Sequence, residues 1–241
     1  MQTDSLLTAL TIDPEKHQSI AAVGGGGKTS LIFRLCEELM AAGRKVIVTT
    51  TTHMAYEPER PFVEDGDIDA IRRNLQRYHY TVAASLDREK GKTGCLSEEK
   101  LEELRKLADV LLIEADGAKR LPLKVPGEWE PVIPVFTDLV VGVIGLDSIG
   151  KPIGEICHRP ECVADFLHKK QTDLVTEDDV FRIAVSDRAL KKETGERCYH
   201  VFLNKADLPG KGKIAENLCI KLQNRQIMAV WGSLQRGEFY R

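Results

Sequence analysis

Short apolar runs alternate along this chain with stretches whose apolar residues recur every three to four positions. The runs at 19–23, 46–50, 81–84, 110–113, 139–144, 198–203 and 226–230 are bounded by polar or glycine residues and predict buried strands. After the first, Leu31, Leu35 and Leu39, beside Ile32, Cys36 and Met40, fall on one face of a helix. Leu101, Leu104, Leu107 and Ala108 predict a second helix over 97–108, and Thr176-Glu177-Asp178-Asp179 has the form of a capping box opening a third. Such alternation predicts the α/β class, with a mainly parallel sheet between helices in a three-layer sandwich. Two regions break the rhythm: 56–69, rich in proline and acid, and 117–134, which holds four prolines and Trp129. Both follow strand C-termini, the edge where open α/β sheets carry their ligand loops, so both are expected as inserted loops of one domain spanning 1–241.

Composition narrows the partners. The chain has 241 residues, 42% hydrophobic and 29% charged, enough to bury a full core. A formal net charge of −3 gives no general attraction to nucleic acid or to an anionic membrane. No apolar run approaches the ~18 residues of a membrane span, and the Met1-Gln2-Thr3-Asp4 start lacks a basic region followed by an apolar one. A cytoplasmic location is the resulting expectation. The six cysteines are scattered, without the tight pairs of a zinc site; Cys157-His158 and Cys162 leave open metal ligation, a reactive thiol or ordinary packing.

The chemistry concentrates after three of the strands. Residues 20–30 read I-A-A-V-G-G-G-G-K-T-S, a strand running into a glycine loop and a helix, which is the strand–loop–helix arrangement of phosphate-loop NTPases. Gly24, Gly25, Gly26 and Gly27 let backbone N–H groups curl round a polyphosphate, Lys28 is placed for the β and γ phosphates, and Thr29 with Ser30 opens the helix, the Thr29 hydroxyl facing Mg²⁺. The full pattern wants glycine where Ala22 stands, so the match is to its Gly-Lys-Thr end. Glu114 and Asp116 follow the apolar run at 110–113, where such proteins hold Mg²⁺ or position the attacking water; strand alternation sets both on one side, and which acid does which job stays open. Thr50, Thr51, Thr52 and His53 end another strand and offer hydroxyls and an imidazole to phosphate, metal-bound water or a second substrate, although threonine also suits a strand structurally. Asn204-Lys205-Ala206-Asp207 resembles the N-K-x-D guanine-reading motif: an aspartate accepts from both N1–H and the exocyclic amine of guanine, a donor pair adenine lacks. That favours GTP over ATP, with Trp231-Gly232-Ser233 after the last strand completing the base pocket.

Glycines and Lys-Thr at 24–30, V-T-T-T-T-H-M at 48–54, E-A-D-G-A-K-R-L-P-L-K-V-P at 114–126 and C-H-R-P-E at 157–161 together resemble the YqeC-like family, over about 20–231. That family is described as accessory to selenium-dependent molybdenum hydroxylases. The resemblance implies maturation or delivery of a selenium-containing or molybdopterin-type cofactor, with the hydroxylase or its cofactor as partner. Lys119, Arg120 and Lys124 lie on a proline-stiffened loop beside the acids, and His158 with Arg159 adds a second anion-binding edge. A helix start, with Pro160 first and Glu161 in the opening turn, is an alternative reading of that edge. The expected protein is a Mg²⁺-dependent, GTP-directed NTPase with Lys28, Glu114 and Asp116 at the chemical step. A small-molecule kinase or ATP-dependent ligase, and a nucleotide-gated binding protein or chaperone with little turnover, are the alternatives.

Overall fold

A computed structural model describes residues 2–241. The predicted apolar runs become β1 (Ser19–Gly24), β2 (Val46–Thr50), β3 (Tyr80–Asp87), β4 (Val110–Glu114), β5 (Leu139–Gly145), β6 (Cys198–Asn204) and β7 (Met228–Ser233), with β8 (Glu238–Tyr240) after them. They lie in the order β8-β7-β6-β5-β1-β4-β2-β3, and all neighbours are parallel except β8, which is antiparallel to β7. Short edge strands extend the sheet to twelve: Gln2–Thr3 on β8, Phe62–Glu64 parallel to β3, Lys92–Gly94 antiparallel to β3, and Met54–Ala55 on Lys92–Gly94. The mainly parallel sheet is therefore as the alternation predicted.

Both faces of the sheet are buried, which is why its strands read as continuous apolar runs. Ile20 and Ala22 of β1, with Val46, Val48, Leu112, Val141 and Val143, pack on one side against Leu31, Leu35 and Leu39 of α1 (Lys28–Ala41) and against Leu6 and Leu10. Ala21 and Val23, with Ile47, Ile113, Val140 and Leu203, face the other side. There they meet Ile71 and Leu75 of α2 (Ile68–Tyr78), Leu101 and Leu104 of α3 (Glu98–Arg105), and Val163 and Leu167 of α4 (Pro160–Leu167). Val180 and Ile183 of α5 (Glu177–Val185) and Leu218 and Leu222 of α6 (Lys211–Gln223) complete that layer. The Thr176–Asp179 capping box opens α5 as predicted, and Ser97 caps α3.

Three boundaries differ from the sequence expectation, each for a local reason. The last parallel strand runs two residues later than 226–230 because Gln226 is left-handed, with φ 59°, and closes a turn after α6. Trp231, Gly232 and Ser233 are consequently inside β7, paired with β8, rather than after the strand. The 56–69 region is not all loop: it carries Phe62–Glu64, and Asp67 caps α2 through its carboxylate. The 117–134 region stays mostly irregular and contributes a two-residue strand, Leu123–Lys124, parallel to Cys157–His158.

The chain places β2 and β3 on one side of β1, returns with β4 beside β1, and then continues with β5, β6 and β7 on the other side. Such a reversal opens a crevice at the carboxyl ends of the strands flanking it. The loops after β1, β4 and β5 all emerge there.

His200 lies within β6, edge-on to His17 at 6.5 Å between ring centroids. Burial, with His17 next, pushes its imidazole down to about 4, against a backbone hydrogen bond to Leu10 that acts the other way. A histidine whose folded value is depressed stays neutral while the unfolded chain takes up a proton. Stability is therefore complete above the ordinary value near 6.5 and falls as pH drops toward 4. The slope from this one group is at most about 1.4 kcal/mol per pH unit. Urea midpoints between pH 7 and pH 4 are expected to fall less steeply in His200→Gln than in wild type; parallel curves would remove His200 from the acid response.

Candidate functional site

The glycine loop is held by main chain and by the side chains of Asn204 and Asp116, and the N–H groups of Gly24, Gly25 and Gly26, expected to curl round a polyphosphate, are instead given to Asp116, Val143 and Leu121. Gly24, Gly26 and Gly27 have φ of 94°, 78° and 134°, a region where residues with a Cβ are strained. Space forbids one as well: a Cβ at Gly24 would come within 2.4 Å of the Val143 carbonyl oxygen, and one at Gly26 within 2.3 Å of the Gly145 nitrogen. Gly25 N–H donates to the Val143 carbonyl at 2.9 Å and Gly26 N–H to the Leu121 carbonyl at 3.0 Å. Gly145 N–H closes the clamp on the Pro122 carbonyl at 2.9 Å. Asn204 ties the loop from a third side, its amide donating to the Gly26 carbonyl at 2.8 Å and accepting from Leu234 N–H at 3.2 Å. Its side chain therefore holds the loop in place.

The helix α1 starts directly from this loop, and its N-cap Gly27 provides no side-chain acceptor. The opening amides of a helix carry partial positive charge and attract anions. Ser30 is exposed in this first turn. Lys28, only 5% exposed, folds back: its Nζ donates to the Gly24 carbonyl at 2.7 Å and lies 3.1 Å from Asp116 Oδ1 and 3.9 Å from Glu114 Oε1. Thr29 Oγ1 donates to Glu114 Oε2 at 2.7 Å. The two acids thus converge, as strand alternation predicted. Asp116 Oδ2 also accepts from Gly24 N–H at 2.9 Å and sits 3.3 Å from Lys124 Nζ. Burial lifts the Glu114 carboxyl above its ordinary range; Lys28 and Thr29 work against that, and Asp116 adds to it. The Thr29 hydroxyl and the Glu114 carboxylate bring together oxygens, the ligand type that hard cations take.

The remaining residues singled out by sequence divide into committed and open ones. The Thr50 hydroxyl donates to the Glu114 carbonyl at 2.9 Å and that of Thr51 to the Val132 carbonyl at 2.7 Å, so both fasten strand and loop. The Thr52 hydroxyl is buried without a partner, and exposed His53 contacts the Thr93 carbonyl through Nδ1 at 3.1 Å. Lys124 is fully buried, bonded to the Gly117 carbonyl and to Glu130 Oε2, each at 2.6 Å. It braces the acids rather than standing free on a loop. Arg159 meets the other oxygen of Glu130 at 3.1 Å, while Lys119 and Arg120 are exposed and left-handed. His158 is buried in the short strand, and Pro160 opens α4 with Glu161 in its first turn, which is the helix-start reading of that edge.

At the ends of β6 and β7, Lys205 Nζ pairs with Asp147 at 2.6 Å and Asp207 lies 3.4 Å from Arg236 Nε. Asp207 lines a cavity of about 90 Å³ with Ala206, Trp231, Gly232, Ser233, Arg236, Glu238 and Tyr240. Trp231 and Tyr240 are stacked 4.2 Å apart. Sequence reasoning missed Glu130, Arg236, Tyr240 and the main-chain clamp from Leu121, Pro122 and Val143. A signal for the clamp was present: Gly145 ends an apolar strand, and a Cβ there would come within 2.7 Å of Pro122 and 3.1 Å of the Gly26 backbone.

A model of the YqeC protein family matches residues 20–161, which include the glycine loop, the two acids and the His158 strand, and end before Asn204. The uncharacterized protein YqeC of Escherichia coli (strain K12) is 32% identical over 238 residues, covering 95% of this chain and 93% of that protein. Among solved structures, the hydrogenase maturation factor HypB from Archaeoglobus fulgidus aligns with a TM-score of 0.43 and 14% identity, over 95% of this chain and 87% of that one. On the family match and the full-length relative, the chain belongs to the YqeC family.

Proposed function

We propose that this protein binds a nucleoside triphosphate with Mg²⁺, GTP in preference to ATP, and hydrolyses it in maturing a selenium-dependent molybdenum hydroxylase or its cofactor. The observation that carries the nucleotide half is the meeting of Lys28, Thr29, Glu114 and Asp116 at the uncapped start of α1. The hydroxylase half comes from the role ascribed to the family that the chain resembles.

Phosphate oxygens suit the amides at the start of α1, which lack a side-chain cap. Thr29 and Glu114 would hold the metal, with Asp116 beside them; when bound, the metal offsets charge on the phosphate oxygens. Lys28 has to exchange Asp116 for phosphate. That exchange does not strand a buried carboxylate, because Lys124 and Gly24 N–H stay on Asp116 Oδ2. For the base, the Asp207 carboxylate supplies acceptors, and the Lys205 stem, held by Asp147, covers one side. Arg236, with a side chain 58% exposed, can leave Asp207 for solvent as the base enters.

Lys28→Ala is expected to lower phosphate release from GTP by at least about a hundredfold while retaining the wild-type circular dichroism spectrum. A folded variant with wild-type turnover would remove the phosphate-loop assignment. Release of phosphate without any acceptor separates hydrolysis from a small-molecule kinase or ATP-dependent ligase. Asp207→Asn is expected to shift preference from GTP toward xanthosine triphosphate, because an amide donor meets the xanthine carbonyl. Each mismatched contact costs about 1–3 kcal/mol, roughly ten- to a hundredfold in affinity. Competition among GTP, ATP and xanthosine triphosphate reads this directly, and an unchanged ranking with ATP preferred by wild type would refute the guanine assignment.

A further inference from the structure

We propose that His158, Arg159 and Lys119 form a second anion site, beside Gly117 and separate from the phosphate loop, that takes a phosphate group. Parallel pairing sets His158 directly opposite Lys124, so both side chains rise from the same face of the two-stranded sheet. Lys124 is saturated by the Gly117 carbonyl, Glu130 and Asp116. His158 is not: it is 8% exposed and its Nδ1 is buried without a partner. An unpaired buried polar group is costly, and native structures keep one where something else completes it.

The surroundings specify what completes it. Lys124, Arg159 and Lys119 all press on the imidazole as positive charges, and Glu130 alone opposes them. Burial first, then Lys124 and Arg159, hold His158 below its ordinary range. Both Glu130 oxygens are already used, one by Lys124 and one by Arg159. Lys119 makes no ion pair among the described residues and is exposed. Arg159 lies against Gly127 so closely that a Cβ there would come within 1.7 Å of Nη1. Around Gly117, by contrast, a Cβ would meet nothing within 4 Å, which leaves room for a ligand. A guanidinium and an ammonium within electrostatic reach of an imidazole whose Nδ1 has no partner suit a tetrahedral dianion. Free phosphate and the phosphoryl group of a small ester share that chemistry.

The site is tested on the full chain by following its histidine side-chain resonances by NMR, with His158→Gln assigning the His158 signal. Inorganic phosphate is expected to shift that signal saturably in wild type and equally in Lys28→Ala. Arg159→Gln is expected to weaken the response about tenfold. Gly127→Ala, which pushes the guanidinium aside, should weaken it in the same direction. Phenyl phosphate binding more tightly than inorganic phosphate would identify an ester as the ligand, and the reverse order free phosphate. No saturable shift with either probe would overturn the proposal. So would a response lost in Lys28→Ala, which would put the anion on the phosphate loop. Because Lys28→Ala separates the two sites, the nucleotide reading can fail while this one stands, and the reverse.

Discussion

A lysine ammonium buried between two carboxylates is the interaction around which this structure is arranged. Lys28, Asp116, Lys124, Glu130 and Arg159 form one continuous chain of opposite charges, running from the glycine loop to a partly exposed guanidinium. Buried ions are expensive to desolvate, and taking one partner away strands the other at a cost of about 3–5 kcal/mol. The chain avoids that outcome by doubling the partners: Asp116 faces two lysines, and Glu130 faces a lysine and an arginine. Asp116 would keep Lys124 and the Gly24 N–H if Lys28 turned to another partner. Glu114 is the member with the least compensation, since Lys28 is 3.9 Å away and burial raises its proton affinity.

The main-chain clamp gives this ionic chain its geometry. Gly24, Gly25 and Gly26 are held by Val143, Leu121, Asp116 and Asn204, which come from β5, the loop after β4, and β6. Each is the end of a parallel strand or the loop that follows one, so the sheet's topology fixes the spacing between the glycine loop, the acids and the cavity at Asp207. The 117–134 loop enters the same clamp through Leu121 and Pro122 and carries Lys124 and Glu130 in its next turns. The same loop bears exposed Trp129.

The strand–loop–helix at 19–41 was legible because three local signals agree: a fully apolar strand, consecutive glycines and a 3.6-residue period on α1. The convergence of Glu114 and Asp116 followed from strand alternation. The role of Lys124 was not legible, since its burial depends on Cys157–His158 pairing with Leu123–Lys124, more than thirty residues away in the chain. On the sequence alone it is one of three cations in a loop, of which Lys119 and Arg120 do remain exposed. Thr50 and Thr51 show the same limit: their hydroxyls bond carbonyls of β4 and the 117–134 loop, contacts that no spacing reveals. Likewise the last strand began later than its apolar run suggested, because one left-handed residue, Gln226, prolonged the preceding turn.

On the proposed reading, Glu114 and Thr29 complete a metal-assisted triphosphate site next to Lys28. That reading is tested most directly by equilibrium binding of GTP with and without Mg²⁺, to wild type and to Glu114→Gln. The account predicts that Mg²⁺ tightens GTP binding to wild type by about tenfold or more, and that the variant, with one acidic oxygen pair lost, keeps binding but shows little Mg²⁺ effect. Equal Mg²⁺ dependence in both proteins would contradict the assignment of Glu114, and no GTP or ATP binding by wild type at millimolar concentration would contradict the site itself.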